Sequence, residues 1–152
     1  MTPKKIILHC SASNFGDARL ITKWHTDPKP KGNGWQGIGY HYVVLNGRRT
    51  AGSKYKQSDD GIVEKGRSNE HRGAHVRGQN KDSLGICVIG KHHFTANQIL
   101  IAVPKLLREL MDMYGLGWAD VYGHYQFTDL KSCPNIPMKR YLSLISKFKE
   151  VL

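Results

Sequence analysis

The chain has 152 residues, of which 39% are hydrophobic, and this is the size and composition of one globular domain with its own core. We therefore interpret residues 1–152 as a single domain. The 23 Lys and Arg residues outweigh 12 Asp and Glu residues, which gives a formal net charge of +11. Such a surface favours polyanions, whether nucleic acid, anionic lipid or the anionic polymers of a cell wall, and it carries no information about fold.

Membrane insertion and export are not indicated by the sequence. No run approaches the roughly 18 apolar residues of a membrane span, so we expect no transmembrane segment. Only three apolar residues separate Lys5 from His9, which is too short for the apolar part of a signal peptide. We therefore expect synthesis in the cytoplasm without an export signal.

The three cysteines have no framework spacing, and their odd number argues against a disulfide scaffold. Cys10 and Cys87 lie in apolar runs, where a cysteine usually acts as a small buried hydrophobic residue. Cys133 instead lies in a polar turn close to Lys131, where a thiolate would be favoured.

The first part of the chain predicts a strand, a helix and a loop. Residues 5–10 are apolar and bounded by polar residues, which is typical of a buried strand. Asp17 can cap a helix that runs to about His25. Residues 27–34 contain two prolines and two glycines and are expected to form a loop.

The next segment predicts a hairpin. Residues 40–45 read as a strand, and Asn46-Gly47 is a strong signal for a two-residue hairpin turn. Residues 48–51 would then form the returning strand. Residues 53–72 are polar and lack periodicity, so we expect little regular structure there.

The clearest helix is predicted to begin at Thr95 and to end at Gly115. Thr95 and Gln98 have the spacing of a capping box, and glycine commonly ends a helix. Pro104 falls inside this helix and should kink it or cost it a hydrogen bond. The residues with helical spacing on the apolar face are Ile99, Val103, Leu106, Leu107, Leu110, Met113 and Tyr114.

Two further strands and a last helix complete the pattern. Residues 83–90 read as a central strand, and residues 119–123 as a short strand that ends next to His124. Pro137 opens the last helix. Its apolar face is Met138, Tyr141, Leu142, Ile145 and Phe148. Because strands and helices alternate, the sequence predicts an α/β domain with one sheet packed by helices.

Three residues form a candidate metal site. His9 ends the first strand, His124 follows the last strand, and Cys133 comes nine residues later across a turn. Two imidazoles and a thiolate suit Zn²⁺, and three protein ligands leave a fourth position open for water. A single histidine at a strand end is more often structural, so the site requires the first and last strands to be neighbours.

Two further residues could assist chemistry near such a site. Lys131 lies two positions before Cys133, and a cation there can stabilise developing negative charge. In a chain this basic, a solvated loop lysine is the commoner case. Tyr40 lies at the start of a predicted strand. The alternative to a catalytic role is that its ring only packs against its neighbours.

The order and spacing of seven short segments resemble one enzyme family. The chain is similar to the zinc-dependent N-acetylmuramoyl-L-alanine amidases of the type-2 amidase and peptidoglycan-recognition-protein family, and most of all to the short phage lysozyme-amidases. No single segment is specific, but the combination is. The segments are ILHCSA (7–12), WH (24–25), GYHYVV (39–44), GAHVRGQN (73–80), SLGICVIG (83–90), GH (123–124) and KSCP (131–134).

The resemblance implies a central mixed β-sheet flanked by about three helices, with the site in a groove on one face. It assigns His9, His124 and Cys133 to Zn²⁺ and gives Tyr40 and Lys131 roles in catalysis. The implied reaction is hydrolysis of the amide between N-acetylmuramic acid and L-alanine in bacterial peptidoglycan. The step from His124 to Cys133 is one residue longer than the resemblance leads us to expect, which bears on the placement of Lys131.

The resemblance also names groove residues and a setting. Trp24, His75 and Asn80 are expected to contact sugar or peptide. The implied enzyme is an endolysin that acts as a monomer and reaches the cell wall through a holin. A regulatory partner such as a polymerase is compatible with this family, but no pattern in the chain indicates one.

Two other functions remain open at this point. The first is a module that binds peptidoglycan without cleaving it, a class in which the cysteine ligand is commonly lost, whereas Cys133 is present here. The second is a nucleic-acid-binding protein, which the charge favours but no helix-turn-helix, zinc-finger or RNA-binding motif supports. We therefore expect no nucleic-acid partner.

Overall fold

The structure, a computed structural model, describes residues 1–148. Within these residues the chain forms five β-strands and three α-helices. The strands are β1 (Lys5–Cys10), β2 (Tyr42–Asn46), β3 (Asp60–Lys65), β4 (Ser83–Val88) and β5 (Val121–Gly123). The helices are α1 (Ala18–Thr26), α2 (Val103–Tyr114) and α3 (Met138–Ile145).

The strands form one mixed sheet in the order β3-β2-β4-β1-β5. The β2-β4, β4-β1 and β1-β5 pairs are parallel, and the edge strand β3 runs antiparallel to β2. This confirms the predicted α/β fold with a single mixed sheet. It also confirms the central strand predicted at residues 83–90, although β4 ends at Val88, since β4 lies in the middle of the order.

Helices cover both faces of the sheet. One face packs against α2 and α3, through a core that includes Leu8, Ile86 and Leu107. The other face packs against α1, where Ile21 contacts a smaller core that includes Val43 and Cys87. Successive strand residues thus point to opposite layers, as the two-residue period of a strand requires.

The first helix and the following loop form as predicted. Asp17 caps α1, because its carboxylate accepts a hydrogen bond of 2.8 Å from the Leu20 N–H. Residues 27–34 contain no helix or strand.

The long helix begins differently from the prediction. Thr95 and Gln98 do form the capping box, with reciprocal bonds of 2.9 and 3.1 Å. The following segment, Asn97–Ala102, is π-helical, and α2 continues from it to Gly115. The wider turns end just before Pro104, which lacks an N–H to continue the regular hydrogen-bond pattern and needs room for its ring. The expected disturbance at Pro104 therefore takes the form of a π-helical segment.

Four predictions about the elements are wrong in detail. Residues 48–51 do not return as a strand, because the antiparallel partner of β2 is β3, which lies in the segment expected to be irregular. As an edge strand, β3 is only half-buried, and its exposed residues hide the alternating pattern. On α2, Met113 is 63% exposed and Met111 is buried instead. Phe148, expected on the apolar face of the last helix, lies beyond the end of α3 and is exposed.

Candidate active site

The two candidate histidine ligands lie side by side at one edge of the sheet. In the parallel pair of β1 and β5, Leu8 is opposite Gly123, so that His9 and His124 follow at the carboxyl ends of neighbouring strands. Their ring centroids are 4.8 Å apart. The requirement that the first and last strands be neighbours is met, at the edge where open α/β sheets usually bind ligands.

Cys133 reaches the same point from the loop that follows β5. Its carbonyl accepts a hydrogen bond of 2.8 Å from the Tyr125 N–H, which ties the loop back to the strand end. Its Sγ lies 3.9 Å from Nδ1 of His9 and accepts a hydrogen bond of 3.2 Å from the Cys10 N–H. The potential ligand atoms of His9, His124 and Cys133 all lie within 4.8 Å of one another.

Both imidazoles are held in the neutral form that binds metals. Burial, followed by the positive charges that His75 and His124 would carry, lowers the pKa of His9 well below its ordinary value. Burial, followed by the charge of Lys131, lowers the pKa of His124. A neutral imidazole keeps a lone pair on one ring nitrogen, and this lone pair is what a metal requires.

Cys10 is buried as predicted, but it is more than a core residue. The contact between the two thiols lowers the pKa of Cys10 and, together with burial, raises that of Cys133. Two thiols this close cannot both ionise easily, so the pair carries at most one negative charge. The N–H of Cys10 points at the sulfur of Cys133, which favours placing that charge on Cys133 when it acts as a ligand.

Tyr40 and Lys131 lie beside the ligand set. The Tyr40 ring is 5.0 Å from the His9 ring, measured between centroids. Burial, and after it the nearby cysteine sulfurs, raises the pKa of Tyr40 well above its ordinary value, so its hydroxyl remains a hydrogen-bond donor. Lys131 is exposed, yet its charge acts on His124. Their catalytic roles remain predictions.

The three expected groove residues occupy different positions. Trp24 packs against the core beneath α1 and meets Phe15 edge to face at 6.1 Å. Both ring nitrogens of His75 have hydrogen-bond partners inside the protein. Asn80 accepts hydrogen bonds from two backbone N–H groups of its own loop. Substrate contact by these residues stays a prediction, and the geometry gives His75 and Asn80 structural tasks as well.

A row of three aromatic rings, of which sequence reasoning missed Trp35, leads from solvent to the site. Trp35 is 41% exposed, and its ring lies 4.8 Å from that of His25, which in turn lies 5.4 Å from Tyr40. The Nδ1 atom of His25 accepts a hydrogen bond of 2.9 Å from the Gly39 N–H, which fixes its ring. The signal was the position of Trp35 in a glycine-rich segment just before Tyr40.

Comparison with known proteins assigns the family. The sequence profile described as N-acetylmuramoyl-L-alanine amidase matches residues 1–136, which is most of the chain. The chain belongs to the N-acetylmuramoyl-L-alanine amidase family. The three candidate metal ligands of this amidase, His9, His124 and Cys133, all lie within the matched region.

Curated relatives of this amidase are phage endolysins. The chain is 32% identical over 148 residues to the endolysin of Klebsiella phage KP32, covering 90% of this chain and 83% of the relative. It is 30% identical over 144 residues to the endolysin of Escherichia phage T7, again covering 90% and 83%. The amidase is thus an endolysin-like enzyme.

Solved structures share the fold of the amidase. LysC, an N-acetylmuramoyl-L-alanine amidase from Clostridium intestinale, superposes with a TM-score of 0.74 at 24% identity, over 96% of this chain and 87% of that one. The Drosophila protein PGRP-LB superposes with a TM-score of 0.69 at 23% identity, over 100% and 86%. The fold is therefore the one found in peptidoglycan-recognition proteins.

Proposed function

We propose that this amidase hydrolyses the amide bond between N-acetylmuramic acid and L-alanine of bacterial peptidoglycan, with Zn²⁺ as its cofactor. The observation that carries the proposal is the convergence of His9, His124 and Cys133, whose potential ligand atoms lie within 4.8 Å of one another. Family membership indicates which bond is cleaved, and the three side chains could hold the metal ion that the cleavage requires.

The donor set fits zinc. Two neutral imidazole nitrogens and one thiolate are ligands that Zn²⁺ prefers, and a set of three leaves one coordination position open. Zinc held there would lower the pKa of a bound water and polarise the carbonyl of the scissile amide. The buried His9 and the half-buried His124 and Cys133 place this chemistry at the edge of the sheet, where a long polymer can approach.

The other residues would act on charge and protons. The hydroxyl of Tyr40 stays protonated, so it can donate a hydrogen bond to the amide oxygen as negative charge develops on it. The ammonium group of Lys131 would stabilise the same charge through space, and it disfavours a second positive charge on His124. Lys131 thereby helps to keep His124 neutral, and both residues would lower the barrier for attack on the carbonyl.

The place where the enzyme acts is inferred from its relatives and from its surface charge. Proteins named endolysin are phage products, which supports action on the cell wall after release through a holin. The formal net charge of +11 suits approach to an anionic wall.

All three ligands come from one chain, so a monomer is sufficient. No helix within residues 1–148 has the length and apolarity needed to cross a bilayer.

Product analysis tests the bond. Digestion of purified cell wall should release new amino termini on L-alanine and no new reducing sugar ends. Reducing ends in proportion to lysis would show a glycosidase. Binding to the wall without any product would instead show the recognition module that the sequence left open.

Metal analysis tests the cofactor. Protein purified without added zinc should contain about one Zn²⁺ per chain, since three protein ligands and one water complete a tetrahedral site. His9→Ala and Cys133→Ala should abolish both zinc binding and wall lysis while leaving the circular dichroism spectrum largely unchanged. Lys139→Ala, at an exposed position of α3, serves as a control that keeps all three candidate ligands. A fully active enzyme without metal would overturn the cofactor assignment.

A further inference from the structure

A chain of hydrogen bonds runs from His9 away from the metal site into the protein. Nε2 of His9 lies 2.9 Å from Nδ1 of His75. Nε2 of His75 lies 3.3 Å from Oγ of Ser83, and that hydroxyl donates a hydrogen bond of 2.7 Å to the carbonyl of Gln79. His9, His75 and Ser83 are all buried, so water does not compete for these contacts.

The direction of every bond follows from the last one. The Gln79 carbonyl can only accept, so it takes the single hydroxyl proton of Ser83. The Ser83 oxygen is then an acceptor, and Nε2 of His75 must be the donor. A neutral His75 that carries its proton on Nε2 has a bare Nδ1, which accepts the proton on Nε2 of His9. His9 is left with its lone pair on Nδ1, the atom that faces Cys133 at 3.9 Å.

We propose that His75 and Ser83 are positioning residues that fix the proton of His9 on Nε2 and so present its Nδ1 lone pair to the metal. The inference rests on the proposed role of His9 as a zinc ligand. Metal-binding histidines commonly donate their second N–H to a neighbouring acceptor, and such partners set both ring orientation and affinity.

The surroundings of His75 hold its ring in place for this task. A Cβ atom on Gly85 would come within 2.7 Å of the ring, so the absence of a side chain on this residue of β4 makes room for it. The oxygen of the Asn80 side chain accepts the backbone N–H of His75 at 2.8 Å and that of Val76 at 2.9 Å. The ring of His41 packs edge-on against His75, with 5.8 Å between centroids.

We call the hydrogen-bond chain from His9 through His75 and Ser83 to Gln79 the relay. It predicts an effect on zinc binding that would be absent if His75 and Ser83 only packed against their neighbours. If the Ser83 hydroxyl is removed, Nε2–H of His75 loses its acceptor, and the proton can move to Nδ1. His75 would then donate to Nε2 of His9, whose own proton would move to Nδ1 and block the metal-binding atom. A change three groups away from the metal should therefore weaken zinc binding without unfolding the protein.

The first test locates the ring protons in the metal-free protein. In ¹⁵N NMR spectra, His9 and His75 should each carry the ring proton on Nε2, and the His9 proton should show coupling across the hydrogen bond to Nδ1 of His75. A ring proton on Nδ1 of either residue would overturn the inference.

The second test measures zinc affinity by competition with a chromophoric chelator. Ser83→Ala and His75→Leu should each raise the zinc Kd about 10- to 100-fold. His75→Asn, whose amide oxygen can replace Nδ1 as acceptor, should raise it less than His75→Leu does. Ser13→Ala, which removes a hydroxyl that donates to the Phe15 carbonyl outside the relay, should leave the Kd unchanged.

The outcomes separate the two proposals. If the parent protein binds no zinc, the proposed cofactor fails, and the NMR result alone decides the relay. If the parent binds zinc and both Ser83→Ala and His75→Leu keep its Kd, the relay is wrong and the cofactor stands. Should His75→Leu fail to fold, the comparison of Ser83→Ala with Ser13→Ala decides.

Discussion

The ring of Tyr40 packs beside His9, and its hydroxyl group is proposed to donate a hydrogen bond to the reacting carbonyl. Removing the hydroxyl alone separates these two roles. Tyr40→Phe keeps the ring and should lower kcat by about 10²–10³-fold, the usual cost of a lost oxyanion donor. Zinc content should not change, because the ring only lies beside His9, at 5.0 Å. The measurement is kcat on a soluble muropeptide together with the zinc content of each protein. A variant that loses zinc in proportion to activity would place Tyr40 among the groups that hold the metal.

Lys131 is tested by removing its charge. Lys131→Ala should lower kcat with zinc content unchanged, because the ammonium group acts on charge that develops only during reaction. The exposed Lys139 provides a matched control, and Lys139→Ala should turn over like the parent protein. If Lys131→Ala remains within about twofold of the parent, a gap far below the cost of a lost oxyanion donor, Lys131 is an ordinary loop lysine.

At the scale of elements, Gln98 joins the π-helical segment to the sheet. Its side-chain nitrogen donates to the carbonyls of Val44, at 3.1 Å, and Ile89, at 2.8 Å, and the residue is fully buried. Gln98→Ala leaves buried polar groups without partners and should lower the free energy of unfolding by about 1–3 kcal/mol. Urea denaturation measures this change. Lys105→Ala, on the exposed side of α2, should stay within about 0.5 kcal/mol of the parent, and equal losses in both variants would contradict the assignment.

The elements also show what sequence can and cannot predict. The apolar runs of β1 and β4 and the cap at Asp17 are local signals, and the structure confirms them. The strand β3 was missed because an edge strand has a neighbour on one side only and needs no continuous apolar pattern. Pro104 predicted a disturbance in the long helix, but not its π-helical form, and the hydrogen bonds from Gln98 to the sheet were missed because they are tertiary contacts.

The same limit applies to the site. The ligand set could be predicted from residue types and strand ends, but the adjacency of His9 and His124 depends on strand order, which no local pattern contains. The hydrogen bond between His9 and His75 could not be predicted either. His75 lies far from His9 in the chain, and the sequence does not show which way its side chain points. Sequence reasoning placed His75 among groove residues, which stays a prediction, but it did not predict the hydrogen bond between His75 and His9.

For the molecule as a whole, buried histidines predict how stability depends on pH. Burial is the first cause that lowers the pKa values of five residues, His9, His25, His41, His75 and His124. The unfolded chain, with ordinary values of about 6.5, then binds more protons than the folded one below that pH. The metal-free protein should keep its full stability above about pH 6.5 and lose it on acidification.

The size of this effect is measurable. The pKa of His75 is lowered to about 3, so its contribution to the free energy of unfolding falls steadily as the pH is lowered from about 6.5 to about 3. A buried histidine that stays neutral contributes a slope of about 1.4 kcal/mol per pH unit below its unfolded pKa. Urea denaturation in the presence of a chelator at pH 7.5 and at pH 5.5 gives the comparison. Stability that is constant or greater at pH 5.5 would contradict the prediction.

The wide separation of the candidate ligands along the chain has a consequence for when the site can form during synthesis. His9 and Cys133 are 124 positions apart, and the pairing of β5 with β1 brings the loop that carries Cys133 to His9. During translation, at about 5–20 residues per second, a nascent chain carries its first ligand long before the other two exist. No fragment that stops before residue 133 can assemble the set. Under the proposed zinc mechanism, hydrolytic activity is thereby delayed until residue 133 has been synthesised and β5 has paired with β1.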